Sequence, residues 1–442
     1  MTNTLSRVSG FAALMLAGAM ASPAAAQTEI QWWHSMSGEL GAKLEDLATK
    51  FNETQTEFKV VPVNRGSYPE SMTAAIAAFR AGEQPHLLQV FEVGTGTFMA
   101  AGEAIYPVAE LMADTGQAFE PDSYLPAVAG YYSTGEGDML SFPFNSSSPI
   151  LYYNKDAFTA AGLDPNTAPK TWAEMAEMAS TIVSSGAKAC GFTTTWPSWL
   201  NLENLSAWHN TPIATQQNGM TGLDTEFVFS TEGLVPEHWA NLVEWSKSGA
   251  YQYRGRTNEA APSFRSGECA MLLESSGGRA GILANSDFEV GFGMMPYYDT
   301  VDGAPQNSII GGASLWVMRG KDEASYPRVA QFLAFLSQPE IQAEWHQSTG
   351  YLPITQAAYD LTTEQNYYAE NPGSDVAIQQ MTLNEPTENS KGLRFGNFVQ
   401  IRTMFEEELE AALNGSKTAA EAAESAQTRG NEMLREFEAQ SQ

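Results

Sequence analysis

The sequence predicts an α/β protein of two or three domains. Three observations carry this prediction. The chain has 442 residues, 43% of them apolar and 11% aromatic, enough for domains of roughly 150 residues that each bury a core. Strand-like and helix-like segments alternate from residue 30 onward. The early strands are apolar on both faces, as in a parallel sheet covered by helices on each side.

The alternation is legible element by element. Residues 30–33 form a short apolar run and predict a strand; Leu40, Leu44, Leu47 and Phe51 then keep helical spacing. Residues 58–63 follow as a strand, 71–81 as a helix, and the almost wholly apolar 86–91 as a third strand. After a loop rich in Gly, Ser and Pro the pattern resumes with strand 150–153, helix 172–184 and strand 190–195. Further strands are expected at 269–273, 290–295 and 314–318, and helices at 326–336 and 342–348. Two acidic-surfaced helices, 399–413 and 418–437, close the chain. There is no repeat of 20–50 residues, and the Ala/Glu-rich 418–425 reads as a solvated helix.

Residues 1–26 read as an address. Arg7, an uncharged run over 11–21 and Ala24-Ala25-Ala26 supply the basic, apolar and A-x-A parts of a secretory signal peptide, with cleavage expected after about Ala26. The run falls short of the ~20 residues that span a bilayer, so the expected location is the periplasm. The 23 Lys+Arg against 52 Asp+Glu give a net charge of -29. So acidic a surface repels the phosphates of nucleic acid and of anionic membranes. Cys190 and Cys269, the two cysteines, either form one disulfide or remain two buried thiols, and their spacing leaves both open.

Enzyme signatures are not found: there is no H-E-x-x-H, G-x-S-x-G, G-x-x-x-x-G-K-[ST] or EF-hand loop. His34, His86, His209, His238 and His346 show no metal-ligand spacing. Four places instead put small, polar or aromatic residues where strands end or begin. These are Arg65-Gly66-Ser67-Tyr68, Phe91-Glu92-Val93-Gly94, Phe144-Asn145-Ser146-Ser147-Ser148-Pro149 and Glu274-Ser275-Ser276-Gly277-Gly278. In open α/β sheets ligands sit at the carboxyl ends of strands, although each such loop taken alone is an ordinary turn.

Longer stretches carry a resemblance. Trp33-His34-Ser35-Met36 with Gly38-Glu39-Leu40-Gly41, together with 74–80, 89–94, 144–158, 202–208, 291–296, 309–318, 344–355 and 392–402, resemble the periplasmic sn-glycerol-3-phosphate-binding proteins of bacterial ABC importers (extracellular solute-binding protein family 1). The resemblance runs from about residue 30 to the C-terminus. It implies a two-lobed periplasmic binding protein of type II, maltose-binding-protein-like, each lobe a sheet flanked by helices with the ligand cleft between them. The chain would cross three times, near residues 145–149, 274–276 and 313–316. The expected lobes are then 27–146 plus 275–313 and 147–274 plus 314–442.

The resemblance also implies a ligand set: Tyr68, Glu92, Ser147, Trp196, Ser275, Gly312, Tyr351 and Arg402, with Ser276, Trp199 and Arg394 as a second tier. Arg402 is expected to offer a fork to phosphate oxygens. The hydroxyls of Ser147, Ser275, Tyr68 and Tyr351 and the Gly312 N–H would complete that shell, Glu92 would accept from glycerol hydroxyls, and Trp196 would cover the carbon skeleton. Without the resemblance, Arg402 beside Glu406 and Glu407 reads as an ordinary helix-surface ion pair, Trp196 as equally at home in a core, and Ser275 and Gly312 as turn residues.

The function so implied is capture of sn-glycerol 3-phosphate by cleft closure and delivery to membrane permease subunits. No catalytic residue, metal or cofactor is expected, nucleic acid is not a partner, and the protein would be a monomer. The same contacts admit a receptor for glycerophosphodiesters such as glycerophosphocholine. A neutral oligosaccharide would leave Arg402 unpaired. The rival from another class, an exported hydrolase, needs a carboxylate pair or metal cluster that the sequence does not name.

Overall fold

An aromatic, β-branched strand opens the fold, and the chain then builds two sheets in succession. The structure, a computed structural model, describes residues 1, 2 and 27–441; residues 3–26, which carry the expected signal peptide, lie outside the described residues. The strands are β1 (Thr28–His34), β2 (Phe58–Asn64), β3 (Leu87–Phe91), β4 (Ile105–Tyr106), β5 (Phe142–Ser147), β6 (Pro149–Asn154), β7 (Cys190–Thr194), β8 (Cys269–Ser275), β9 (Val290–Gly293) and β10 (Gly311–Met318). The helices that frame them include α1 (Gly38–Thr54), α2 (Tyr68–Ala81), α3 (Trp172–Ser184), α4 (Val235–Ser248), α5 (Ala261–Arg265), α6 (Arg279–Ala284), α7 (Tyr326–Leu336), α8 (Pro339–Thr349), α9 (Phe398–Leu413) and α10 (Ala419–Ser441).

The first sheet has the order β2-β1-β3-β10-β4, with β5 also paired to β10. The second has the order β7-β8-β6-β9. Strands β1, β2 and β3 pair in parallel, as the alternation with helices requires. Both sheets are nevertheless mixed: β10 runs antiparallel to β3, β4 and β5, and β6 antiparallel to β8 and β9. The all-parallel expectation is corrected accordingly, since returning strands leave no trace in local periodicity.

Two of the expected crossings move. The chain passes from the first sheet to the second at Ser148, between β5 and β6. Residues 144–147, expected in a loop, are buried strand. The turn at residues 274–276 does not cross, because β8 and β9 both belong to the second sheet. The return falls between β9 and β10, and β10 as a whole, including residues 314–318 that were expected in the other lobe, lies in the first sheet. Helix α7 then packs on the first lobe, where Phe332 sits edge-on to Trp32 and Phe51. Helix α9 packs in the second, where Phe405 meets Phe227 and Phe229. The expected boundaries 27–146 plus 275–313 and 147–274 plus 314–442 are corrected on these points.

Polar side chains tie the two crossing segments together. Ser148 and Ser308 share a hydroxyl hydrogen bond of 2.7 Å, and the Gln380 amide donates to Ser148 Oγ at 2.9 Å. Short segments of this kind at element ends are where a hinge between two lobes can absorb changes of φ and ψ.

Cys190 and Cys269 are disulfide-bonded, joining neighbouring strands of the second sheet across 79 residues of chain. Closing so long a loop in the unfolded chain favours the native state by about 4 kcal/mol in the chain-entropy model. Replacing both cysteines by alanine is expected to lower the urea midpoint substantially; a variant with unchanged midpoint and slope would contradict this.

Candidate ligand-binding cleft

A cavity of about 730 Å³ lies between the lobes, lined by residues from both. Each lining residue is placed by a local feature of the chain. Tyr68 is the first residue of α2, whose start is fixed where the Glu70 carboxylate accepts the Ser67 N–H at 2.7 Å. Its ring stacks on Phe91 with centroids 5.1 Å apart, and Asn145 Nδ2 donates to its hydroxyl at 3.2 Å. Glu92 follows directly on the buried β3. Ser147 and Ser275 end β5 and β8.

Backbone geometry is most constrained at two positions. Gly312 has φ +90, and a Cβ there would fall 1.8 Å from the Asn145 carbonyl oxygen, so only glycine lets β10 approach β5 this closely. Trp196 has φ +44, a conformation that bulky residues avoid, and is held there by its N–H on the Thr257 carbonyl at 2.9 Å. Backbone strain of this kind concentrates at ligand sites. Tyr351 is fixed by the His346 ring on its carbonyl and by stacking on Trp345.

The charged end of the cavity is built on Arg402, from α9. Its Nε and Nη2 donate to Glu203 Oε1 and Oε2 at 2.9 and 2.6 Å, and Nη2 also donates to Glu92 Oε1 at 2.8 Å. Arg402 and Glu92 are each 5% exposed and Glu203 is fully buried. Burial pulls the guanidinium down, but the two carboxylates outweigh it and hold its pKa well above the ordinary value. Burial pushes the Glu92 carboxyl up, against the pull of Arg402. Glu92 belongs to the first lobe, Glu203 and Arg402 to the second, so this ion pair spans the cleft.

The geometry corrects part of the expectation. All eight expected ligand residues, and Trp199, line the one cavity. The Arg402 fork, however, already grips Glu203 rather than standing open to a phosphate, and its partners are not the helix neighbours Glu406 and Glu407. Arg394 is not at the cleft: its Nη2 donates to the carbonyls of Gly130, Tyr131 and Ser133. Ser276 is buried behind the wall, its N–H on the Ser148 carbonyl.

Glu203 was missed by sequence reasoning. It lies on a π-helical turn, Trp199–Asn204, every residue of which is buried; such turns recur at functional sites. The available signal was one acid inside an otherwise apolar and amide run. Glu203 holds Arg402 from behind the lining, whereas Glu274 lines the cavity itself, and burial pushes its carboxyl up to about 7. No group of three or more His, Cys, Asp or Glu able to hold a metal occurs among the described residues.

A cleft between two α/β lobes, lined by hydroxyls, aromatic faces and one buried arginine, defines a solute receptor. The chain belongs to the family of bacterial extracellular solute-binding proteins, which it matches over residues 46–373. Within that family it is 50% identical over 426 residues to the sn-glycerol-3-phosphate-binding periplasmic protein of Salmonella typhimurium, covering 96% of this chain and 97% of that one. The protein of the same name from Pectobacterium atrosepticum is 50% identical over 427 residues, 96% of this chain and 94% of that one. Among solved structures, UgpB from Mycobacterium tuberculosis in complex with glycerophosphocholine superposes with a TM-score of 0.77 at 20% identity, covering 93% of this chain and 99% of that one. Maltose-bound MalE3 of T. maritima gives 0.74 at 19%, over 92% and 100%. The fold is thus that of the maltose-binding-protein-like receptors.

Two expectations follow. Gly312→Ala should displace β10 from β5 and lose ligand affinity together with several degrees of melting temperature; a variant that keeps both would contradict the close approach. Burial raises the Glu406 carboxyl from 4.5 to about 8, against Arg402 and Arg256. The folded protein therefore holds a proton that the unfolded chain releases, and stability falls as pH rises between those values. In Glu406→Gln the fall in melting temperature across that window should be shallower than in the parent; parallel curves would contradict this.

Proposed function

We propose that this protein is the substrate-binding component of an ABC importer, exported to the periplasm by a signal peptide cleaved after about Ala26. It captures sn-glycerol 3-phosphate as a monomer, without nucleic acid, and presents the closed form to the membrane permease. The observation that carries this reading is the cavity itself, in which hydroxyl donors and a carboxylate-flanked arginine face each other across a cleft, in a chain half identical to receptors named for that ligand.

The roles of the side chains follow from charge. At the Arg402 end the cavity is lined by the Glu92 carboxylate, with Glu203 buried behind it; Glu92 would accept from hydroxyls and repel a phosphate, so the glycerol hydroxyls belong there, with Tyr68 beside them. The phosphate belongs on the hydroxyls of Ser147, Ser275 and Tyr351 and the backbone at Gly312, away from Glu92, with the Tyr351 and Tyr68 hydroxyls adjoining where the two parts of the ligand meet. Trp196 and Trp199 cover the carbon skeleton. Ligand shifts the open and closed populations only by its differential affinity for the two, and contacts from both lobes supply that difference. Binding needs no covalent step, and the ligand is released unchanged.

Calorimetric titration of the mature protein with sn-glycerol 3-phosphate, glycerophosphocholine and maltose tests this reading. A phosphate ester should bind and maltose should not. Ser275→Ala should weaken phosphate-ester binding roughly tenfold, the worth of about one hydrogen bond to a charged group. Binding of maltose alone would overturn the function, and turnover of a phosphodiester would point to a hydrolase.

A further inference from the structure

The cavity presents a charge problem. The single guanidinium of Arg402 is already shared between Glu203 and Glu92 and has no charge to spare, and a phosphate ester brings further negative charge. Attraction therefore has to come from a second cation. The lining contains one other among the described residues: Arg265, the half-buried last residue of α5. No hydrogen bond or salt bridge among the described residues engages its guanidinium, in a chain where 52 Asp+Glu outnumber 23 Lys+Arg.

Its surroundings place it on the phosphate wall. A Cβ added at Gly281, in the first turn of α6, would lie 3.7 Å from Arg265 Nη1, and one at Gly278 would lie 2.9 Å from Glu274 Cγ. The Glu274 carboxylate in turn accepts the Ser275 N–H at 2.8 Å and feels the Arg265 charge. Arg265, the glycine face of α6 and the Glu274-Ser275 strand end thus make one continuous surface.

We propose that Arg265 is the cation that pairs the ligand's phosphate, and that Glu274 beside it tempers the strength of that pairing, so that these two residues set the preference for anionic over neutral ligands. The inference rests on the glycerol-phosphate reading of the cleft. Arg265 has the planar five-donor fork suited to phosphate, and unlike Arg402 none of it is committed to a carboxylate. Glu274 faces Arg265 from α5, Thr195 from beyond β7, Tyr152 from β6 and Tyr351 from beyond α8. A phosphate arriving there favours the protonated acid, so the like charge is withdrawn as the ligand binds.

The two residues make predictions of opposite sign. In titrations with sn-glycerol 3-phosphate at several salt concentrations, Arg265→Gln should weaken binding at least tenfold and flatten its salt dependence, since a lost ion pair removes a screened term. Arg265→Lys should recover part of both. Glu274→Gln should bind a few-fold more tightly at pH 8 and equally at pH 6. Melting temperatures identify variants that misfold, and Arg265→Lys then carries the comparison. If the parent protein binds no glycerol phosphate, the proposed function fails. If it binds, an unchanged Arg265→Gln, or one that weakens with its salt dependence intact, overturns the assignment of Arg265. A Glu274→Gln variant that weakens at pH 8 overturns that of Glu274.

Discussion

The ion pair between Arg402, Glu203 and Glu92 is the constraint from which the site follows. Removing three charges from water is expensive, and a buried pair is stable only where geometry and further hydrogen bonds are close to ideal. Here the geometry is bidentate to Glu203 and shared with Glu92. Satisfying it fixes the rotation of α9, requires the wider π turn that carries Glu203, and brings the end of β3 from the other lobe against both. A receptor that must close around a small polar solute thereby has, already built, a contact running from one lobe to the other.

On the proposed reading the same contact orders the ligand. The Glu92 carboxylate would make one end of the cleft an acceptor of hydroxyls, and would leave the hydroxyl and glycine-rich surface of Ser147, Ser275, Gly312 and Tyr351 as the place for an anion. The net charge of -29 does not forbid such a ligand. Beyond a Debye length of about 8 Å at physiological salt the diffuse surface charge is screened, and the local arrangement of donors sets the potential a bound phosphate meets. The aromatic layer of Phe144, Trp345 and Tyr351, with rings stacked in sequence, braces those donors.

Most of the elements were legible because period and burial agree in them: Leu44, Leu47 and Phe51 bury one face of α1, and the all-buried β3 reads as an apolar run. What was not legible is pairing. Nothing in the local pattern of 290–293 tells β6 from the first sheet as its partner, so the crossing points moved. Residues 144–147 read as a loop because Asn and Ser are turn formers; they are strand because they pair with β10, and the buried Asn145 amide is satisfied by accepting from Gln89 and donating to Tyr68. The cleft residues were legible through resemblance, not physics: Ser275 and Gly312 look like turn residues until the fold brings them together. Glu203 stayed hidden because a buried acid is recognisable only once its cation is known, and Arg402 lies 199 residues away.

The orientation of the ligand across this charge arrangement is decided by a crystal structure of the complex with sn-glycerol 3-phosphate. Phosphate oxygens are expected within hydrogen-bond reach of the Ser147, Ser275 and Tyr351 hydroxyls, with the glycerol hydroxyls on Glu92 and the Arg402–Glu203 pair intact. A phosphate seated on the Arg402 fork, with Glu203 displaced, would contradict it.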